Sequence, residues 1–209
     1  MVTVDIVLFT IRKSELCVML IRRLIEPFVD QFAIPGGFVL PQESLPDAAR
    51  RELFEETGYR AKYLEQLFTF GDPQRDPRGR VVTVAYFALV PEDQSLAAGS
   101  DASEVGWFPV SKLPALAFDH AEILRVAHDR LKAKLDYSDV GFRLLSQEFS
   151  LTDLQEVHET ILGHPVDPRN FRRKLENRGV VKETDHYRQT GRKPARLYRF
   201  SGEGALPAE

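Results

Sequence analysis

Three glutamates, Glu52, Glu55 and Glu56, stand at i, i+3 and i+4 in the run Arg51-Glu52-Leu53-Phe54-Glu55-Glu56-Thr57-Gly58-Tyr59. On a helix that spacing gathers all three carboxylates on one face. Like charges so placed repel one another, and nothing in helix architecture recommends them. A divalent, oxygen-seeking cation removes the repulsion, and carboxylate ligands suit Mg2+ or Mn2+. Such an ion bridges to diphosphate oxygens and activates a water. The bland alternative is a solvated acidic helix face. Upstream, Gly37-Phe38-Val39-Leu40-Pro41-Gln42-Glu43 precedes Arg51 by a gap of seven residues.

The elements that must position these groups can be read from local signals. Residues 44–57 predict a helix: Ser44 can cap it, Pro46 is tolerated in the first turn, Asp47 favours the dipole there, and Gly58 follows as its stop. Val2–Phe9 and Glu15–Ile21 predict a hairpin around Arg12-Lys13-Ser14. Phe32-Ala33-Ile34 leads into the turn Pro35-Gly36-Gly37. Tyr63–Phe70 and Val81–Val90 predict a second strand pair, joined by the polar connection 71–80. Connections of that length are often functional or mobile. Within it, Arg78 and Arg80 suit a substrate phosphate or else a solvated turn. Val105–Val110 predicts another strand, and Glu104 just before it is either a site residue or a surface charge. Asp119–Leu135 has helical periodicity, with His120 read as a helix-start residue in preference to a base.

The character changes near Tyr137. Leu151–Leu162 predicts a helix that Gly163 ends, and Asp167-Pro168 opens a second helix to Asn177. Val180–Thr184 and Arg196–Phe200 then predict a hairpin, so that the plan is a winged helix-turn-helix. Between Pro165 and Phe200 eleven basic residues meet four acidic ones, a local +7 inside a chain of net charge -3. Asymmetry of this kind marks a polyanion-binding face. Arg169, Asn170, Arg172, Arg173 and Lys174 crowd the front of the second helix, where a recognition helix reaches base edges. Arg192 and Lys193 lie at the tip of the wing, within reach of phosphate or minor groove.

Composition narrows the setting. The 209 residues are 43% hydrophobic and 28% charged, which is ordinary for globular domains. The single Cys17 sits in an apolar run and forms no intramolecular disulfide. No long uncharged apolar window suggests a membrane span, and the first residues do not resemble a signal peptide. A cytoplasmic protein is expected.

Residues 37–59 resemble the Nudix box at every defined position. That resemblance implies that Glu55 and Glu56 are the principal metal ligands and Glu52 a ligand or base. It further implies that Arg51 orients a glutamate and that Gly37 admits the backbone to the site. Together with Asn170-Phe171-Arg172-Arg173-Lys174-Leu175 and the ending Gly191–Phe200, the chain resembles the Nudix-related transcriptional regulators of NAD metabolism, the NrtR family. The resemblance implies an α+β protein: a Nudix α/β/α sandwich with a mixed sheet over 1–136, a linker over 137–149, a winged helix-turn-helix over 150–201 and a frayed tail over 202–209. It also implies a homodimer on a double-stranded DNA operator, with ADP-ribose or a similar NAD-derived nucleotide as the sensed ligand. The intact box keeps a Mg2+-dependent ADP-ribose pyrophosphatase open as the competing function.

Overall fold

The structure, a computed structural model, describes residues 1–91, 102–190 and 193–202. Among the described residues, seven strands form one mixed sheet: β1 (Val2–Arg12), β2 (Glu15–Arg23), β3 (Phe32–Ala33), β4 (Gly36–Phe38), β5 (Leu64–Phe70), β6 (Val82–Leu89) and β7 (Ala102–Pro109). β1 is the central element. It runs parallel to β6 and antiparallel to β2 and β4. The first hairpin closes at Lys13 and Ser14, whose φ values of 51° and 59° put both in the left-handed region, as a two-residue turn that follows the right-handed twist of its strands needs. Pairing therefore continues to Arg12–Glu15, beyond the expected end at Phe9.

Helix α1 (Leu45–Thr57) covers one face of the sheet, where Ala48, Ala49 and Leu53 pack on Val4, Ile6 and Leu8. Helix α2 (His120–Leu135) covers the other, where Ile123, Leu124, Ala127 and Leu131 pack on Val7 and Phe9. This is the α/β/α sandwich, and it explains why β1 is apolar almost throughout: a strand buried on both faces loses the polar alternation. Three polar residues are nonetheless buried: Thr3 and Asp5, which share the α2 face at its open end, and Thr10 on the opposite face.

The C-terminal module follows, with α3 (Leu151–Leu162), α4 (Pro168–Arg178) and the hairpin β8 (Val181–Thr190) and β9 (Lys193–Phe200). Ser150 and Asp153 form a reciprocal capping box at the start of α3, and the Asp167 side chain caps α4 through the Asn170 N–H. The wing strands are longer than expected because β8 pairs with β9 as far as Thr190.

Residues 137–149 do more than connect. Their 3-10 turn, Val140–Leu144, sends Val140 and Leu144 into the core of the sheet and α2, beside Val157 and Ile161 of α3. Phe142 goes the other way, into a cluster with Phe149, Leu154 and Leu175. Its ring stacks on Phe200 at 4.4 Å. Phe142→Ala should therefore cost about 3 kcal/mol, read as a lower urea midpoint by circular dichroism. A loss under about 1 kcal/mol would remove this residue from the core that joins the two modules.

Candidate functional site

Helix α1 presents its carboxylates beside Gly36 and Gly37, which are expected in a turn but pair with β1 as part of β4. Ser44 caps the helix by accepting from the Asp47 N–H, and Gly58 ends it at φ 69°. Arg51 organises the acidic groups. Its Nε and Nη2 donate to Glu43 at 2.9 and 2.6 Å, while Nη1 donates to Glu52 at 2.8 Å and Glu55 at 3.0 Å. The guanidinium, helped by the Leu40 N–H, holds the Glu43 carboxyl down at about 2. Glu52 goes the opposite way. Burial pushes its carboxyl above the usual range, although Arg51 pulls against the shift. A Cβ on Gly37 would lie 2.4 Å from Glu52 Oε1, so any side chain there would push this carboxylate from its place. Glu56 accepts from the Gly36 N–H at 2.8 Å.

Beside these groups lies a cavity of about 370 Å3, within the range of small-molecule sites. Gly36, Gly37, Arg51, Glu52 and Glu56 line one side. Glu55 is not among its walls and stays half-exposed. No group of three or more metal-ligating side chains converges among the described residues. The donor set still fits a hard divalent ion, because Glu52 and Glu56 bring carboxylate oxygens to the same wall and Glu52 is poorly solvated there.

The opposite wall is a buried polar cluster. Arg75 donates to Asp119 at 2.7 and 2.9 Å and to Asp5 at 3.3 Å. Asp119 thereby leaves α2 without a side-chain cap. His120 opens α2, as expected, and its Nδ1 accepts from the Ile34 N–H at 3.1 Å. Burial holds its imidazole below the usual range, hence neutral. Arg78 lines the cavity, pinned to Asp76 at 2.6 Å with Phe38 and Phe118 rings 5.2 and 5.5 Å from its guanidinium carbon. Arg80, the other arginine of this connection, donates to the Gly71 carbonyl and is not among the residues that line the cavity. Glu104 lies in β7, but its side chain is outside the described residues.

In the C-terminal module, Phe171 and Leu175 turn α4 towards α3, leaving Arg169, Asn170, Arg172, Arg173 and Lys174 exposed. Arg173 donates to Asn170 at 2.8 Å. Arg188, Arg196 and Arg199 are each tied to a carboxylate, as is Arg178. Among the described residues, no such pair involves the four cations at the front of α4. Arg192 and the side chain of Lys193 lie outside the described residues.

Residues 1–127 match the NUDIX domain family, and residues 141–200 match the NrtR DNA-binding winged helix domain. An ADPR-responsive transcriptional repressor of Acinetobacter baylyi is 40% identical over 205 residues, covering 96% of this chain and 82% of that one. The chain belongs to the NrtR family. Shewanella oneidensis NrtR complexed with a 27mer DNA superposes with a TM-score of 0.85 at 38% identity, covering 95% of this chain and 93% of that one. The NUDIX domain of the same NrtR complexed with ADP ribose is 39% identical, with a TM-score of 0.59, covering 63% of this chain and 88% of that one.

Sequence reasoning about this NrtR chain missed Asp5, Arg75, Asp76 and a role for Glu43. Glu43 had a signal, being the first glutamate of the box; the other three come together only through the fold. The raised Glu52 carboxyl yields a test. Its ionised form is less favourable folded than unfolded, so stability is lost as pH rises through the raised value and regained below it. Glu52→Gln should raise the melting temperature in EDTA, more at pH 8 than at pH 5, while abolishing any stabilisation by Mn2+. A lower melting temperature at pH 8 would show that the Arg51 contact outweighs the burial.

Proposed function

We propose that this protein is a DNA-binding transcriptional repressor of NAD-related genes whose Nudix domain binds ADP-ribose and thereby changes its hold on the operator. The observation that carries the reading is the front of α4: four exposed cations without a carboxylate partner among the described residues, on the same chain as an intact carboxylate site. In this reading residues 1–136 bind the nucleotide, 150–201 bind DNA, and 137–149 join them. Arg169, Asn170, Arg172, Arg173 and Lys174 enter the major groove, while Arg192 and Lys193 serve phosphate or the minor groove. A homodimer places two such helices on a palindromic site. The cytoplasm is its place of action, and no helix among the described residues is long and apolar enough to cross a membrane.

Within the cavity, Arg78 offers donors to phosphate once Asp76 shares it, and Gly37 keeps the wall open beside Glu52. Glu52, Glu55 and Glu56 would hold Mg2+ or Mn2+, which would supply Lewis-acid chemistry towards the diphosphate and water. Arg51 orients these carboxylates through Glu52 Oε1 and Glu55 Oε2 and leaves the second oxygen of each outside its grip. The cavity position of Glu52 and Glu56 also favours a second reading, hydrolysis of ADP-ribose and water to AMP and ribose 5-phosphate. The two functions are compatible if turnover is slow.

Fluorescence anisotropy on DNA from the protein's own upstream region, in EDTA, tests the repressor. Binding should be salt-dependent and should shift with ADP-ribose. Binding no tighter than to scrambled DNA would turn the assignment towards the hydrolase. Replacing Arg172 or Arg173 by alanine should cost about 1–3 kcal/mol of operator affinity each and leave ADP-ribose affinity alone; full operator affinity would exclude α4 as the reading helix. For the second reading, Glu56→Gln should eliminate Mg2+-dependent AMP release, and an undiminished rate would dismiss it.

A further inference from the structure

A second cavity, of about 600 Å3, opens where the two modules meet, and no described residue lines both it and the carboxylate cavity. Its size is that of a small-molecule site. Lys62, Tyr63 and Pro91 reach it from the Nudix side, Arg143 and Leu145 from the linker, and Arg199 from the wing. Among the described residues its lining holds three cations and no carboxylate. Arg199 is already taken, by Glu148 at 2.6 Å. Lys62 and Arg143 have no hydrogen bond or ion pair among the described residues. Arg143 is half-buried, and burial holds its guanidinium below the usual range. Asp139 draws on it only through space and is itself bonded to Arg178. The Phe200 ring, 5.7 Å away, offers a face but no acceptor oxygen. Five N–H donors in that setting ordinarily meet acceptors. The flanking Phe142 and Leu144 are anchored in two cores, so the turn presents this guanidinium from a fixed position.

We propose that this cavity is a second ligand site, which takes the dianion of an organic phosphate monoester between Arg143 and Lys62. A guanidinium fork matches two phosphate oxygens, and an ammonium beside it serves the third as a point charge. Charge fixes the class of ligand. A phosphate monoester carries about -1.5 to -2 near neutral pH, which balances the two cations that lack a partner. A carboxylate would leave one of them unmet. The rest of the lining fixes the body of the ligand. Tyr63, Leu145 and Pro91 give the cavity an apolar side, suited to a ring or a short hydrocarbon attached to the phosphate. A phosphodiester backbone has no such group to place there, which argues against DNA as the occupant. Because the walls come from both modules, a bound monoester bridges them.

Calorimetric titration of the full-length protein in EDTA at low salt uses 1-naphthyl phosphate as the probe, with 1-naphthol and inorganic phosphate as its separate halves. The wild-type protein should bind the ester more tightly than either half. Arg143→Met and Lys62→Met should each weaken it by roughly tenfold or more, the share of one charge-assisted contact. Arg78→Met, which alters the other cavity, should leave the affinity unchanged. Unaltered circular dichroism shows that each variant is folded, and Lys62, being exposed, decides the question if Arg143→Met misfolds. No saturable binding of the ester to the wild type overturns the site. Full affinity in both Arg143→Met and Lys62→Met does so too, and a loss in Arg78→Met alone places the probe in the carboxylate cavity. If the Arg143 and Lys62 variants keep the probe but lose operator affinity, these cations serve DNA and the site is again overturned.

Discussion

A single guanidinium, with its side chain 3% exposed, ties together three parts of the chain that are remote in sequence. Arg75 comes from the connection between β5 and β6, Asp5 from the central strand, and Asp119 from the threshold of α2. A cation at that depth is tolerable only when it is paired and hydrogen-bonded, because removal from water costs several kcal/mol per ion before pairing. The pairing dictates the local architecture in return. The 71–80 connection is drawn inward, Asp119 surrenders its capping role, and His120 is held over the cavity. The shape and the chemistry of the polar wall both descend from this arrangement.

Opposite it, the carboxylate wall is held in tension. Arg51 gathers Glu43, Glu52 and Glu55, yet the balance of effects on Glu52 still disfavours its charge. A fold optimised for stability alone would place an apolar side chain against Gly37. Keeping a carboxylate there is the kind of local cost that accompanies binding sites. The intact glycine on the strand and the arginine on the helix belong to one solution: the first makes room for the carboxylate and the second pairs with it.

The two modules are linked through packing. Helix α2 begins at the cavity with His120 and buries Leu131 and Leu135 in a cluster that includes Val140, Val157 and Ile161. The turn Val140–Leu144 feeds that cluster and, through Phe142, the core beneath α4. Interiors packed at this density transmit displacement poorly by compression and well by rigid shift. A change at the start of α2 thus has a continuous apolar path to the elements that present the basic face. Whether both ends bias the same two-state element is a matter of coupling energies, which the anisotropy titration reads.

Much of this was legible from the residues alone, wherever the signal was local. The i, i+3, i+4 glutamates, the Ser44 and Gly58 boundaries, the Asp167-Pro168 start of α4 and the cationic front of that helix all follow from periodicities within a few residues. Such patterns survive whatever the rest of the chain does, because helix geometry places neighbours by rise and turn. The tertiary structure decided what depends on long-range pairing. Asp5 lies within the expected strand Val2–Phe9 and Arg75 within the polar connection 71–80, neither marked by its neighbours, and residues 137–149 read as a linker. The parallel pairing of β1 with β6 and the docking of α2 brought the first two to one buried wall and pressed the third into two cores. Nothing near any of them in sequence encodes that meeting, because the burial that gives each its role is supplied by segments dozens of residues away.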